Sequence, residues 1–178
     1  VGYCGEKRFK VVKKFFGHFL YSVDHKGRVA IPNCFRKALP QESNGRLVLN
    51  KGHDRTLSIH PLSVWEKVVG GALPKLSVNK RESRNLLWGM AANASEVVLD
   101  AQGRISIPKE LLDYAGITNQ VVIFGAITYF VMANPETYEK LQKEFEENYE
   151  KYASDLLDSI EIPSADSSSS NDLIPRDE

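Results

Sequence analysis

Apolar and polar positions alternate with a period of two in RVAIP, at 28–32, and again in RISIP, at 104–108. Val29 and Ile31 fall on one side of the first segment, with Arg28 and Ala30 on the other. Ile105 and Ile107 oppose Arg104 and Ser106 in the second. This is the pattern of a strand with one buried face. The flanks repeat as well. A short apolar segment precedes each (FLYSV, EVVL) and a helix-like piece follows (NCFRKAL, KELLDYAG). Two further apolar segments come next: LVL and TLSIH in the first copy, VVIF and YFVMA in the second. Each copy then enters a helix with an aromatic before Glu-Lys, LSVWEK and PETYEK. The parallel covers about 50 residues per copy, roughly 16–67 and 95–140.

Between the copies, SVNKRESRNLLWGMAANA reads as a helix with Asn79 as N-cap. Leu86, Leu87 and Met90 give it an apolar face, and Lys80, Arg81 and Arg84 lie on another. After the second copy, Tyr138, Leu141, Phe145, Tyr149, Tyr152 and Leu156 recur at spacings of 3 or 4. That predicts an amphipathic helix over about 135–159, with its stripe packed on its own domain. From about Pro163 the Ser-rich, acidic SADSSSSNDLIPRDE is expected to be disordered.

The segment ahead of each alternating strand is nearly the same: DHKGRVAIP at 24–32 and DAQGRISIP at 100–108. Asp24 and Asp100 can accept hydrogen bonds from amides two residues on, and Gly27 and Gly103 suit a turn that needs positive φ. Pro32 and Pro108 end the strand and pre-set a helical turn. Gly116 fits a helix C-cap.

Composition narrows the class. With 178 residues, 42% of them hydrophobic, the chain can form one domain or two small ones with a buried core. No apolar run approaches the roughly 18 residues of a membrane span. The opening EKRFKVVKKFF is too charged for a secretory signal. Cys4 and Cys34 make no disulfide framework, so a cytosolic location is the default. The net charge of zero hides an asymmetry: residues 1–135 hold 19 Lys/Arg against 10 Asp/Glu, and residues 136–178 hold 4 against 13. A basic body with an acidic tail suits a polyanionic partner, although two solvated faces of opposite composition would look the same.

The doubled Arg-bearing turn is the strongest candidate for chemistry. The arginine fork can pair with O6 and N7 of guanine in the major groove. Lys26, Arg36 and Lys37 lie near the first turn in sequence and could hold phosphates; Gln102 replaces Lys26 in the second copy, where Lys109 is the nearby base. A purely structural reading stays open: Asp24–Arg28 and Asp100–Arg104 as ion pairs across a turn. His18, His25, His53 and His60 have no metal-ligand spacing with either cysteine. Cys34 is expected on the apolar side of its helix. GHDRT at 52–56 lacks a nucleophile elbow, and VVGGA lacks the residues of a phosphate loop. Glu144, Glu146, Glu147 and Glu150 read as a solvated helix face. No catalytic constellation, metal site, cofactor or small-molecule substrate is implied, so the chain is not read as an enzyme.

FFGHFLYSVDHKGRVAIPNCFRKAL and RNLLWGMAANASEVVLDAQGRISIPKELLDYAGI resemble the MraZ family of bacterial transcriptional regulators, whose two repeats belong to the SpoVT-AbrB DNA-binding superfamily. The resemblance covers roughly Phe15 to Leu156. It implies an α+β fold of two β-rich, swapped-hairpin-like repeats about a pseudo-two-fold, with flanking helices and a C-terminal helix. It implies double-stranded DNA as partner, at short direct repeats upstream of the division and cell-wall gene cluster, usually in repression. It further implies a ring-shaped homo-oligomer associated with the nucleoid, and no membrane. By motif position Arg28 and Arg104 are the expected DNA-contacting residues, in loops shaped by Asp24, Gly27, Asp100 and Gly103. The expected organisation is a basic N-terminal extension (1–14), a first repeat (15–67), a helical linker (68–94), a second repeat (95–140), a C-terminal helix (141–160) and an acidic Ser-rich tail (161–178). The extension is either a phosphate-binding arm or the product of an upstream start, since family members usually begin near Phe15 or Phe16. An alternative within the superfamily is an antitoxin-like protein that binds DNA and a toxin partner. Such proteins usually carry one motif copy and a disordered tail.

Overall fold

A computed structural model describes residues 14–72, 77 and 79–157. Most of the basic extension and the whole acidic tail lie outside the described residues. The chain divides into two compact units, residues up to Lys140 and those from Leu141 onward.

The expected doubling is present element by element. The first copy supplies β1 (His18–Ser22), β2 (Arg28–Ala30), α1 (Asn33–Ala38), a 3-10 turn at Gln41–Ser43, β3 (Arg46–Lys51), β4 (Leu57–Pro61) and α2 (Leu62–Ala72). After α3 (Arg81–Asn93), the second copy supplies β5 (Ser95–Val98), β6 (Arg104–Ser106), α4 (Lys109–Ala115), β7 (Gln120–Ala126), β8 (Tyr129–Ala133) and α5 (Pro135–Leu157). The fold is α+β and its strand pairs are antiparallel.

Six strands form one sheet in the order β1-β7-β8-β4-β3-β5, and β2 pairs with β6 in a separate ribbon. Exchanging the two copies (β1 for β5, β3 for β7, β4 for β8) reverses the sheet order and leaves it otherwise unchanged. The sheet therefore has a pseudo-two-fold axis between β4 and β8. The copies are also interleaved. The first strand of each pairs with the third strand of the other, Leu20 opposite Val122 and Leu47 opposite Val97. Neither copy completes its own sheet edge.

One core joins these parts. Val29, Ile31, Ile105 and Ile107 from the ribbon segments are buried with Leu47, Leu49, Leu57, Ile59 and Ile123 from the sheet. Phe15, Phe35 and Phe130 meet pairwise at 5.3 Å between ring centroids, a spacing typical of favourable aromatic pairs. Phe15 bridges Ile127 through its backbone, and a Cβ on Gly125 would collide with the Phe15 carbonyl, so a glycine is required there. On the opposite sheet face, α2 packs on β3 and β4, and α3 on β3. His60 stacks on Tyr129 at 4.5 Å and meets the edge of Trp65 at 5.3 Å.

Three expectations are corrected. Lys80, not Asn79, precedes α3, and no side chain caps that end; the Asn79 carbonyl instead accepts a bond from Arg84 Nη1 at 3.2 Å. The apolar face of α3, whose burial the pattern left open, buries no residue: Leu87 and Met90 are only partly covered, and Leu86 is exposed. Cys34 is exposed because Phe35 takes the core-facing position of the short α1 helix. The α5 stripe also departs from expectation. Tyr138 packs on His18 and Phe124. In the second unit, Phe145 and Tyr149 contact each other edge-on at 5.3 Å and stay half exposed, so the stripe is not buried there. The acidic residues Glu144, Glu146, Glu147 and Glu150 are exposed, as expected.

Candidate nucleic-acid interface

The two turns are built alike. Gly27 donates its amide to the Asp24 carbonyl at 2.9 Å, and the Asp24 amide bonds the Arg28 carbonyl at 3.0 Å. Asp24 Oδ1 accepts from the amides of Lys26 and Arg28, both at 2.9 Å. Asp24 Oδ2 accepts from Arg28 Nε and Nη2, each at 2.7 Å. In the second copy, Asp100 Oδ1 accepts from the amides of Gln102 and Arg104, and Oδ2 from Arg104 Nε and Nη2, all at 2.9 Å. Gly27 and Gly103 have φ of +71° and +74°, the left-handed conformation that a β-carbon disfavours. The amide donors two residues on and the positive φ are those the sequence implied, and the amides of Arg28 and Arg104 add a second donor to each aspartate.

The ion-pair reading of these arginines is thus realised. The guanidinium bond to Arg28, then its backbone amide, hold the Asp24 carboxyl well below the usual carboxylate range. The Asp100 carboxyl is also lowered, first by the Arg104 amide and then by its side chain. The pairing leaves chemistry unspent. Each guanidinium has five N–H groups and directs two at the aspartate, so three remain for another acceptor. The arginine side chains are 33% and 29% exposed, enough for a ligand to reach them. A guanidinium held by a carboxylate loses less freedom when it binds a second partner.

The ribbon sets where these forks point. Arg28 lies opposite Ser106, Val29 opposite Ile105, and Ala30 opposite Arg104. Paired residues share a face, so Val29 and Ile105 enter the core together while Arg28 and Arg104 lie on the other side. The two arginines are diagonal neighbours, which puts their Cα atoms about 7–8 Å apart. The swap continues across the ends of the ribbon: the Ile31 amide bonds the Gly103 carbonyl and the Ile107 amide bonds the Gly27 carbonyl, each at 2.9 Å.

That crossing redistributes the remaining cations. Lys26 is exposed at the tip of the first turn. Arg36, expected beside the first turn, lies against the second: a Cβ on Gly103 would sit 2.7 Å from Arg36 Cδ and Cζ. Lys37 is exposed on the same helix. Lys109, expected beside the second turn, opens α4, whose Leu112 lies against Gly27 of the first. Adjacency in sequence does not say which turn Arg36 meets. Leu112 stands at the same offset from its motif as Arg36 does from the first, so the two helices make equivalent contacts across the pseudo-two-fold.

Nothing else among the described residues gathers reactive groups. No cluster of three or more His, Cys, Asp or Glu could hold a metal ion there. His60 is pushed down to about 4 by burial, which keeps its imidazole neutral at pH 7. Among the described residues, no helix is long and apolar enough to cross a membrane.

Comparison with known proteins agrees with the doubled architecture. A family model described as "MraZ protein, putative antitoxin-like" matches residues 15–87 and 90–160. The chain is 34% identical over 144 residues to the protein named Transcriptional regulator MraZ of Natranaerobius thermophilus, covering 81% of this chain and 97% of that one. It is 37% identical over 131 residues to the protein of the same name from Herpetosiphon aurantiacus, covering 74% and 88% respectively.

Proposed function

The chain belongs to the MraZ family, and from that membership we propose that it is a sequence-specific DNA-binding regulator of transcription and not an enzyme. The observation that carries the reading is the placement of Arg28 and Arg104 on one side of the ribbon, each pinned by an aspartate with three N–H groups to spare. The Cα atoms that carry the two forks, about 7–8 Å apart, are separated by about two base-pair steps of 3.4 Å. Each can take O6 and N7 of a guanine in the major groove. Lys26, Arg36, Lys37 and Lys109 supply phosphate contacts, which fix register without carrying sequence.

The operator is a set of short direct repeats upstream of the division and cell-wall gene cluster, and the effect is repression. One chain presents only two arginine turns, so a ring-shaped homo-oligomer engaging several repeats gains affinity through effective concentration. The protein acts on the nucleoid.

Binding to the DNA upstream of the protein's own gene tests this. Arg28→Ala and Arg104→Ala should each weaken specific binding by about 1–3 kcal/mol. The melting temperature should move little, because a surface ion pair contributes at most about 1 kcal/mol. Unchanged affinity per folded molecule with a collapsed melt would leave the arginines a structural role only. Co-purification with a small toxin, rather than with DNA, would favour the antitoxin alternative.

A further inference from the structure

The pseudo-two-fold is broken at two positions that touch the same pair of turns. At the turn tips, Lys26 corresponds to Gln102. On the helices that lie against the turn glycines, Arg36 corresponds to Leu112. The two breaks run in opposite directions. The first turn has a lysine at its tip and an apolar leucine from α4 against its glycine. The second has an uncharged glutamine at its tip and an arginine from α1 against its glycine. Arg36 arrives from the other copy, because α1 crosses to the turn that its own strand pairs with.

We infer that Arg36 works at the second turn, across the repeat boundary, as the phosphate-binding cation that position 102 lacks, leaving Arg104 to read bases. Three observations support the assignment. Arg36 is exposed although it rests on the Gly103 backbone. It forms no ion pair with a carboxylate among the described residues, whereas Arg28 and Arg104 both do. Its packing role can be filled without charge, since the apolar Leu112 occupies the equivalent place against Gly27, its Cδ1 3.2 Å from where a Cβ would stand. A charge that packing does not require is left for a ligand, and the ligand of matching chemistry at an arginine turn is a phosphate oxygen.

This inference rests on the DNA-binding reading, and its test separates the two. Binding is measured against salt on two duplexes, the DNA upstream of the protein's own gene and a random sequence of equal length. The variant is Arg36→Leu, which copies the packing of the first turn. The magnitude of the log K against log salt slope should fall by about 0.9 per chain bound on both duplexes, equivalent to about an eightfold loss at 0.1 M salt relative to 1 M. The preference for the promoter duplex should be unchanged. Adding Gln102→Lys to Arg36→Leu rebuilds the first turn's arrangement at the second and should restore the slope. Should Arg36→Leu lower the melting temperature, Arg36→Gln is the second variant, with the same expected slope. A wild-type slope in these variants would overturn the inference, as would a reduced slope that Gln102→Lys fails to restore. Wild-type protein that binds neither duplex would overturn the DNA-binding reading itself.

Discussion

Val29 lies opposite Ile105 in the β2–β6 ribbon, the point at which the two halves of the chain meet on their pseudo-two-fold axis. Both side chains are essentially buried. One residue away on either strand are the arginines of the two turns. The same short ribbon therefore seals the core and aims both guanidinium groups. Fold and candidate site share their central contact.

Truncating that contact should act on both. Ile105→Ala removes a fully buried side chain and should cost about 2–5 kcal/mol of stability. A denaturant titration measures the cost. A loss well under 1 kcal/mol would mean that the ribbon is not an integral part of the core.

The turn glycines should respond unequally. Gly27→Ala and Gly103→Ala both force a β-carbon into a left-handed conformation, at about 1–2 kcal/mol each. At Gly27 the added methyl meets the Ile107 carbonyl 3.0 Å away, which is backbone and yields poorly. At Gly103 it meets the flexible Arg36 side chain, which can move aside. Thermal melts should therefore show the larger loss for Gly27→Ala. The salt slope of DNA binding should fall for Gly103→Ala, because Arg36 is displaced. Equal melts and an unchanged slope would place Arg36 away from the turn.

Stability should fall with acid in two stages. His60 ordinarily titrates near 6.5 and in the fold is pushed down to about 4. Between these values the unfolded chain binds more protons than the folded one, so the fold weakens as pH drops from about 6.5 toward 4. The residual exposure of the imidazole limits the loss to roughly 2 kcal/mol. Asp24 and Asp100 are held below their ordinary 3.8, so their contribution persists above that pH and disappears as pH falls further. Urea midpoints measured against pH should show both stages in the wild type and lose the first in His60→Phe. An unaltered first stage in that variant would assign it to another group.

Much of this was legible in the chain because local rules and tertiary demands coincide. The alternation of Val29 and Ile31 with Arg28 and Ala30 gave the strand, its buried face and its exposed arginine, and the core needs the same arrangement. Asp24 and Gly27 specified the turn through one acceptor and one backbone conformation. What failed to show was long-range. Nothing local says that β1 pairs with β7 rather than within its own copy, nor that Arg36 lies against the turn of the other copy. Cys34 was misplaced for a smaller reason: on a six-residue helix one buried position suffices, and Phe35 holds it. The exposed stripe at Phe145 and Tyr149 has perfect helical spacing, but spacing reports only that a face is apolar, not what covers it.

Guanine N7 methylation interference on the DNA upstream of the protein's own gene shows whether Arg28 and Arg104 read bases, because a methyl at N7 blocks one of the two acceptors that an arginine fork takes. Wild-type binding should be lost when guanines about two base steps apart are methylated within each repeat. Arg28→Ala should become indifferent to one of them and Arg104→Ala to the other. Tight, promoter-specific binding that ignores N7 methylation throughout would contradict base reading by these two arginines.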